Sequence, residues 1–333
     1  MPTISEIAQK ANVSRTLVSR VLNNKSGVSP ENRERILAVI QECNYVPNAL
    51  ARSLVMQKTQ TIGVVMDDLC DNFFFDLISG LQDSGELLGY NVLFCSGRSN
   101  MDIKLKYVDY FAHGRTDGVI AYGSNLVDDQ LFRNFVVKTP NFVLIEGDLP
   151  NTKINNVLLN NFSGAYRATE HLIKMGYHKI IHLTGDMNYK VSLDRLNGFV
   201  KAMRDYSIPI EQDTIVYADF DEDMAHEQMN KRILAGNIPD ACFAGADKTA
   251  FGAIRAMYEH NLTTPGDIAI IGFDGDEPDS RDILFPQLTT MRQPLYDMGF
   301  EGMKLLIHII ENPMAEPQTK MFEPEFIIRD TCK

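Results

Sequence analysis

The stretch NVSRTLVSRVLN, residues 12–23, carries residue types that could read nucleic acid. With Ser14 at an N-cap and about 100° of rotation per residue, Arg15, Thr16, Ser19, Arg20 and Asn23 share one arc of a helix; Leu17, Val18, Val21 and Leu22 share the other. An α-helix fits the major groove of B-form DNA, where one arginine can bond both O6 and N7 of a guanine. Arg20 is the first candidate for that contact, with Arg15 and Thr16 as further base readers. Ser5, Ser14, Ser19, Asn23 and the amides at helix starts would position phosphates. The same pattern also suits a plain three-helix domain whose arginines are merely solvated.

The elements around this stretch must hold it. Upstream, Thr3 to Glu6 has the form of a capping box, and Ile4, Ile7, Ala8 and Ala11 follow at helical spacing. Downstream, Ser29 and Pro30 suit an N-cap and first helical position, with Ile36, Leu37, Ile40 and Cys43 expected on the buried side. Three short helices with a polar second one describe a helix-turn-helix. Pro47 and Asn48 then open a helix of about eight residues, too short to overcome its own nucleation cost. Its apolar side is Leu50, Ala51, Leu54 and Val55. Paired with a symmetry mate, such a helix could lay Asn48 and Ala51 on DNA and wedge Leu54 into a minor-groove step. Otherwise it is an interdomain helix with Leu54 packed against its neighbours.

Charge divides along the same line. Residues 1–60 hold eight Lys or Arg against four Glu, a net of +4, in a 333-residue chain of net charge −12. The remaining residues therefore carry −16. A basic module that meets polyanion, joined to an acidic body with another task, accounts for that asymmetry.

From residue 61 onward, apolar strand-like runs (TIGVVMD, YNVLFC, DGVIAYG, NFVLIEG, KIIHLTG, TIVYAD, ACFAG, DIAIIGFDG) alternate with helical stretches at 75–88, 104–113, 164–175, 193–206, 223–235 and 249–259. The alternation predicts an α/β body of parallel sheets with helices on both faces, and its length predicts two doubly wound lobes. Ligands of open α/β sheets sit beyond the carboxyl ends of the strands. Residues expected there are Asn72, Phe73, Phe74, Glu146, Arg195, Phe220, Asp247 and Asp274. Rings that stack on sugar C–H faces, with carboxylates and an arginine for vicinal hydroxyls, make a saccharide site.

Several other classes lose support. The start of the chain is polar rather than a signal peptide, and no apolar run reaches the roughly 18 residues of a membrane helix, so a cytoplasmic protein without membrane contact is expected. No dinucleotide or P-loop pattern follows a strand, and no nucleophile, base and orienter can be assembled, so neither a cofactor nor a catalytic site is expected. Five scattered cysteines suggest no metal or disulfide framework. His178 and His182 would lie about 13 Å apart on a strand and are read as structural.

The segments ISEIAQKANVS, VSRVLNN, VSPENRERILAVIQECNYVPNALARSL and TIGVV resemble, in order and spacing, the lactose-repressor (LacI/GalR) family of bacterial transcription regulators. The resemblance is specific over residues 3–65 and looser beyond. It implies a helix-turn-helix at 1–46, a hinge helix and linker at 47–60, and a periplasmic-binding-protein-like (type I) body. In that body 61–160 with 290–321 would form the N-terminal lobe, and 161–289 with 322–333 the C-terminal lobe. It implies that Arg15, Thr16 and Arg20 read half of a pseudo-palindromic operator, that paired Leu54 side chains open its centre, and that Arg195 and Asp274 hold the effector. Leu17 stands where relatives often have threonine, Val55 where some carry a basic residue, and Ala246 where a polar residue is usual. The expected function is a sequence-specific repressor of carbohydrate-use genes under a sugar-type effector. A family member that docks a partner protein, and a sugar transport protein sharing the body, are the alternatives. No heptad tail follows the last strand, so a homodimer is expected.

Overall fold

The computed structural model describes residues 2–22, 25–45, 58–98, 100–123, 133, 139–149, 151–275 and 286–333, and it divides into two compact units, 1–59 and 60–333. In the first unit, α1 (Ile4–Lys10), α2 (Arg15–Leu22) and α3 (Pro30–Glu42) pack around Ile7, Ala8, Ala11, Val18, Val21 and Ile36. Each start has a local cause. Thr3 Oγ1 accepts from the Glu6 amide while Glu6 Oε2 accepts from the Thr3 amide, closing the capping box. Ser14 Oγ accepts from the Leu17 amide, and Ser29 Oγ accepts from the Asn32 amide ahead of Pro30. Asn12, at φ +51°, makes the turn between α1 and α2, a conformation asparagine tolerates. Leu37 corrects the sequence reading: it is 48% exposed, because Ile36, Val39 and Ile40 take the inward arc of α3.

The second unit has two six-stranded sheets. The first runs β11-β5-β4-β3-β1-β2, built from β1 (Thr61–Met66), β2 (Asn91–Ser96), β3 (Gly118–Tyr122), β4 (Phe142–Ile145), β5 (Asn155–Leu159) and β11 (Thr319–Phe322), all parallel. The second runs β12-β10-β9-β8-β6-β7, from β6 (Ile180–Thr184), β7 (Ile215–Tyr217), β8 (Ala241–Ala244), β9 (Ala269–Asp274), β10 (Thr289–Arg292) and β12 (Glu325–Ile327), where only β12 is antiparallel. The chain thus leaves the second sheet after Arg292, slightly later than expected at 289. Phe322 closes a strand of the first sheet rather than opening the second lobe.

Helices cover both faces, as buried parallel strands require. In the first lobe α4 (Phe75–Leu87) and α10 (Leu295–Glu311) cover one face and α5 (Met101–Ala112) the other. In the second lobe α6 (Asn161–Lys174) and α7 (Lys190–Asp205) lie opposite α8 (Glu222–Leu234) and α9 (Asp247–Glu259). Strand β1 shows the double burial: Ile62, Val64 and Met66 enter one core, Val65 the other. Helix starts fall earlier than the apolar periodicity suggested, because the caps Asn100, Asn160 and Asp221 accept amides upstream of the first periodic residue.

Helices α4 and α10 meet backbone to backbone. A Cβ on Gly80 would collide with the Tyr296 carbonyl oxygen, and one on Gly299 with that of Leu77, so the two backbones touch without intervening side chains. Gly80→Val should therefore lose about 1–3 kcal/mol by overpacking, read in urea unfolding followed by circular dichroism. An unchanged midpoint would show that the helices can part freely.

Candidate functional site

Helix α2 presents Arg15, Thr16 and Arg20 to solvent, with Ser19 half-buried and Val18 and Val21 facing the core. Arg15 Nη1 donates to Ser5 Oγ at 3.4 Å, which brings Ser5 beside the arc. Ser14 is exposed, and its hydroxyl also caps the helix. The carbonyl of Arg20 accepts the Lys25 amide at 2.9 Å, fixing the chain where it leaves α2. Asn23, Asn48, Ala51 and Leu54 lie outside the described residues, as does most of the expected hinge helix.

In the second unit a cavity of about 430 Å³ opens at the carboxyl ends of strands from both sheets. The first lobe contributes Asp67 after β1, Phe73 and Phe74, Tyr122 at the end of β3 and Glu146 after β4; the second contributes Asp186, Arg195, Asp219 and Phe220 after β7, Ala246 and Asp274. A volume of this size suits a small-molecule ligand.

Arg195 is the centre of the floor. It is 4% exposed, and its guanidinium carbon lies 3.8 Å from the centroid of the Phe273 ring and 5.7 Å from that of Phe220. Nε donates to Asn161 Oδ1 at 2.9 Å; Nη1 donates to the Gly245 carbonyl at 2.5 Å and to Asp274 Oδ1 at 3.5 Å. Nη2 has no protein partner among the described residues, leaving donors for a ligand. Asp274 Oδ1 also accepts from Gln293 Nε2 at 2.7 Å. Asn161 Nδ2 donates at 3.0 Å to Oε2 of Glu146, whose Oε1 accepts the Leu159 amide at 2.6 Å. Burial pushes the Glu146 carboxyl above its ordinary value, against the pull of Asn161, the Leu159 amide and Arg195. Burial, then Glu146, raises the Tyr122 hydroxyl well above its usual range.

The cavity backbone is unusual where the side chains turn inward. Glu146, Asp219, Phe220 and Asp274 have φ of +54°, +49°, +59° and +136°. For a bulky residue such as Phe220 this is strained, and it folds the ring over Gly185, where any Cβ would meet it.

Six of the eight residues read from the sequence line this cavity. Asn72 does not: it starts an exposed single turn, Asn72–Phe74, and only Phe73 and Phe74 reach inward. Asp247 does not either. It is fully buried, accepting from Thr290 Oγ1 at 2.6 Å and from the Gly275 amide at 2.9 Å, so it ties the start of α9 to β10 and to the residue after β9. The sequence reading missed Asp67, Asp71, Tyr122, Asp186, Tyr189, Val191, Asp219 and Lys248. For Asp67, Asp186 and Asp219 a position within two residues of a strand end was the available signal.

Residues 3–48 match the profile described as bacterial regulatory proteins, lacI family, and residues 169–332 match a periplasmic binding protein-like domain. The chain is 31% identical, over 335 aligned residues covering all of it and 99% of the relative, to the HTH-type transcriptional repressor PurR of Actinobacillus pleuropneumoniae serotype 3 (strain JL03). The chain belongs to the LacI family. It is a DNA-binding transcriptional regulator. The lac repressor dimer bound to operator and the anti-inducer ONPF superimposes on this LacI-family chain with a TM-score of 0.88 at 24% identity, covering 99% of each chain. The transcriptional regulator CelR in complex with cellobiose gives 0.73 at 26% identity, over 99% of this chain and 100% of that one. No helix among the described residues is long and apolar enough to cross a membrane.

Beneath the floor of this LacI-family cleft, His182 stacks between Phe199 and Phe243, with ring centroids 5.2 and 4.8 Å away. Burial, aided by the Arg195 charge, lowers its pKa from 6.5 to about 4. The unfolded chain therefore takes up this proton first. The stabilisation is complete above pH 6.5 and drains away as pH falls towards about 4. Across that window the unfolding midpoint of His182→Phe should fall less than that of the unchanged chain; parallel curves would mean that the imidazole is not held neutral.

Proposed function

We propose that this chain is a homodimeric repressor of carbohydrate-use genes, released from or tightened on a pseudo-palindromic operator by a sugar-type effector in the cleft. The observation that carries the effector reading is Arg195. It is fixed on three sides by Phe273, Asn161 and Gly245, with Nη2 left over beside a cavity walled by Phe73, Phe74, Tyr122, Tyr189 and Phe220. The rings suit the C–H faces of a pyranose, and the spare guanidinium nitrogen suits its hydroxyls. The cellobiose bound by CelR supports the same ligand class.

On this reading Ser5, Ser14, Arg15, Thr16, Ser19 and Arg20 meet the operator from α2 and its flank. Asn23, Asn48, Ala51 and Leu54 complete the contact on sequence grounds. The lobes are 61–160 with 293–322, and 161–292 with 323–333. The cleft is read as a binding site rather than a catalytic one because the chain's relatives are transcriptional regulators. The dimer reading draws on large apolar side chains left exposed on the first lobe, Phe75 at 67% and Leu87 at 72% on α4 and Leu93 at 48% on the edge strand β2. A ligand bridging both lobes alters their angle, and hinge helices that form only on DNA convert that change into affinity. Such a regulator works in the cytoplasm, where its operator is.

Arg20→Ala should weaken operator binding by about 1–3 kcal/mol and relax preference at one base pair per half-site, measured by fluorescence anisotropy on a set of palindromic duplexes. Uniform weakening across all duplexes would move Arg20 to a phosphate contact. Arg195→Met should keep operator binding while abolishing the saccharide-induced rise in unfolding temperature; a retained rise would place the effector elsewhere.

A further inference from the structure

The charge of the cleft narrows the ligand further, on the reading that the cleft is the effector site. Six carboxylates line it, Asp67, Asp71, Glu146, Asp186, Asp219 and Asp274, against two cations, Arg195 and Lys248, among the described residues. The positive charge of Arg195 is already opposed by Asp274 at 3.5 Å. Asp67 is neutralised from behind by Lys104, an ion pair whose side chains are only 14% and 6% exposed. Asp71, Asp186 and Asp219 have no cation partner among the described residues. Lys248 stands at an exposed position of the lining.

The hydrogen-bond inventory points the same way. Ionised carboxylates only accept, and so do phosphate and carboxylate groups on a sugar; a hydroxyl donates and accepts. A free hydroxyl can therefore give its proton to Asp71, Asp186 or Asp219 and take one from Arg195 Nη2. An anionic substituent would face three uncompensated like charges, with one spare guanidinium nitrogen and the ammonium of Lys248, held out at an exposed position, to meet it. We propose that the cleft takes a saccharide without phosphate or carboxylate groups and rejects the phosphorylated and uronic forms of the same sugar.

The test is a thermal-shift panel on the full chain with neutral mono- and disaccharides, their 6-phosphates and the matching uronic acids, each hit followed by calorimetry. Neutral sugars should give the hits, and the phosphorylated form of a hit should bind at least about tenfold more weakly, as like charges a few ångströms apart require. The double variant Asp186→Asn with Asp219→Asn should narrow that gap. Both changes keep local structure: Asp219 sits at φ +49°, which asparagine accepts, and Asp186 Oδ1 takes the Asn188 amide at 2.9 Å, as an asparagine oxygen also can. A 6-phosphate or uronate that binds as tightly as its parent sugar overturns the proposal and leaves the effector cleft standing, provided Arg195→Met abolishes that binding. A gap unchanged in the double variant overturns it as well. A panel in which no saccharide shifts the transition overturns the effector reading itself.

Discussion

A guanidinium held almost out of water is the constraint around which the body is organised. Removing such a charge from solvent costs several kcal/mol unless its donors are matched. Arg195 is matched by groups from different parts of the chain: the Gly245 carbonyl after β8, Asn161 at the start of α6 and Asp274 at the end of β9. The Phe273 ring beneath supplies the remaining contact. Asn161 reaches on to Glu146 in the first lobe, and Asp274 to Gln293 where the chain leaves the second. One hydrogen-bonded run thus joins both lobes and two of the crossing segments. Three of its members, Glu146, Arg195 and Asp274, line the cavity, so the network that ties the crossings together is also the one a ligand there would touch.

The two units solve different electrostatic problems. The helical unit keeps its polar arc free because Ile7, Val18, Val21 and Ile36 suffice for a small core, leaving Arg15 and Arg20 no inward role. The body concentrates acid at strand ends, where carboxylates can be held by amides and counter-charges. Lys104 shows how far this goes, since a buried lysine is tolerated only with a partner such as Asp67.

Much of this was legible in the sequence, for identifiable reasons. The capping box at Thr3 and the Ser29-Pro30 start are short-range chemistry, and the structure realises both. The alternating body was visible because most of its strands are continuous apolar runs. Strand β5 was missed because Asn155 and Asn156 interrupt such a run; both are buried, their side chains serving the Gln318 amide and the Gly147 carbonyl. Helix α10 was missed because its glycines, Gly299 and Gly302, weaken a helical pattern and gain their meaning only from a facing backbone. In the cavity, Arg195 and Phe220 stood out by type. Asp247 misled, since an aspartate at a helix start near a strand end looks the same in sequence whether it faces a ligand or locks two strands together. Tyr122 and Tyr189 gave no local sign at all, because their role follows from which strands become neighbours.

The bare backbone contact between α4 and α10 has a mechanical consequence. With no side chains to yield at Gly80 and Gly299, the pair behaves as a single beam. One end of that beam begins directly after Phe73 and Phe74, whose rings face the cavity, and the other carries Leu87 out into solvent. A displacement of the aromatic end would have to carry both helices with it. Stiffness at two glycines is thus what would let a molecule the size of a sugar be felt on the outer surface of the lobe.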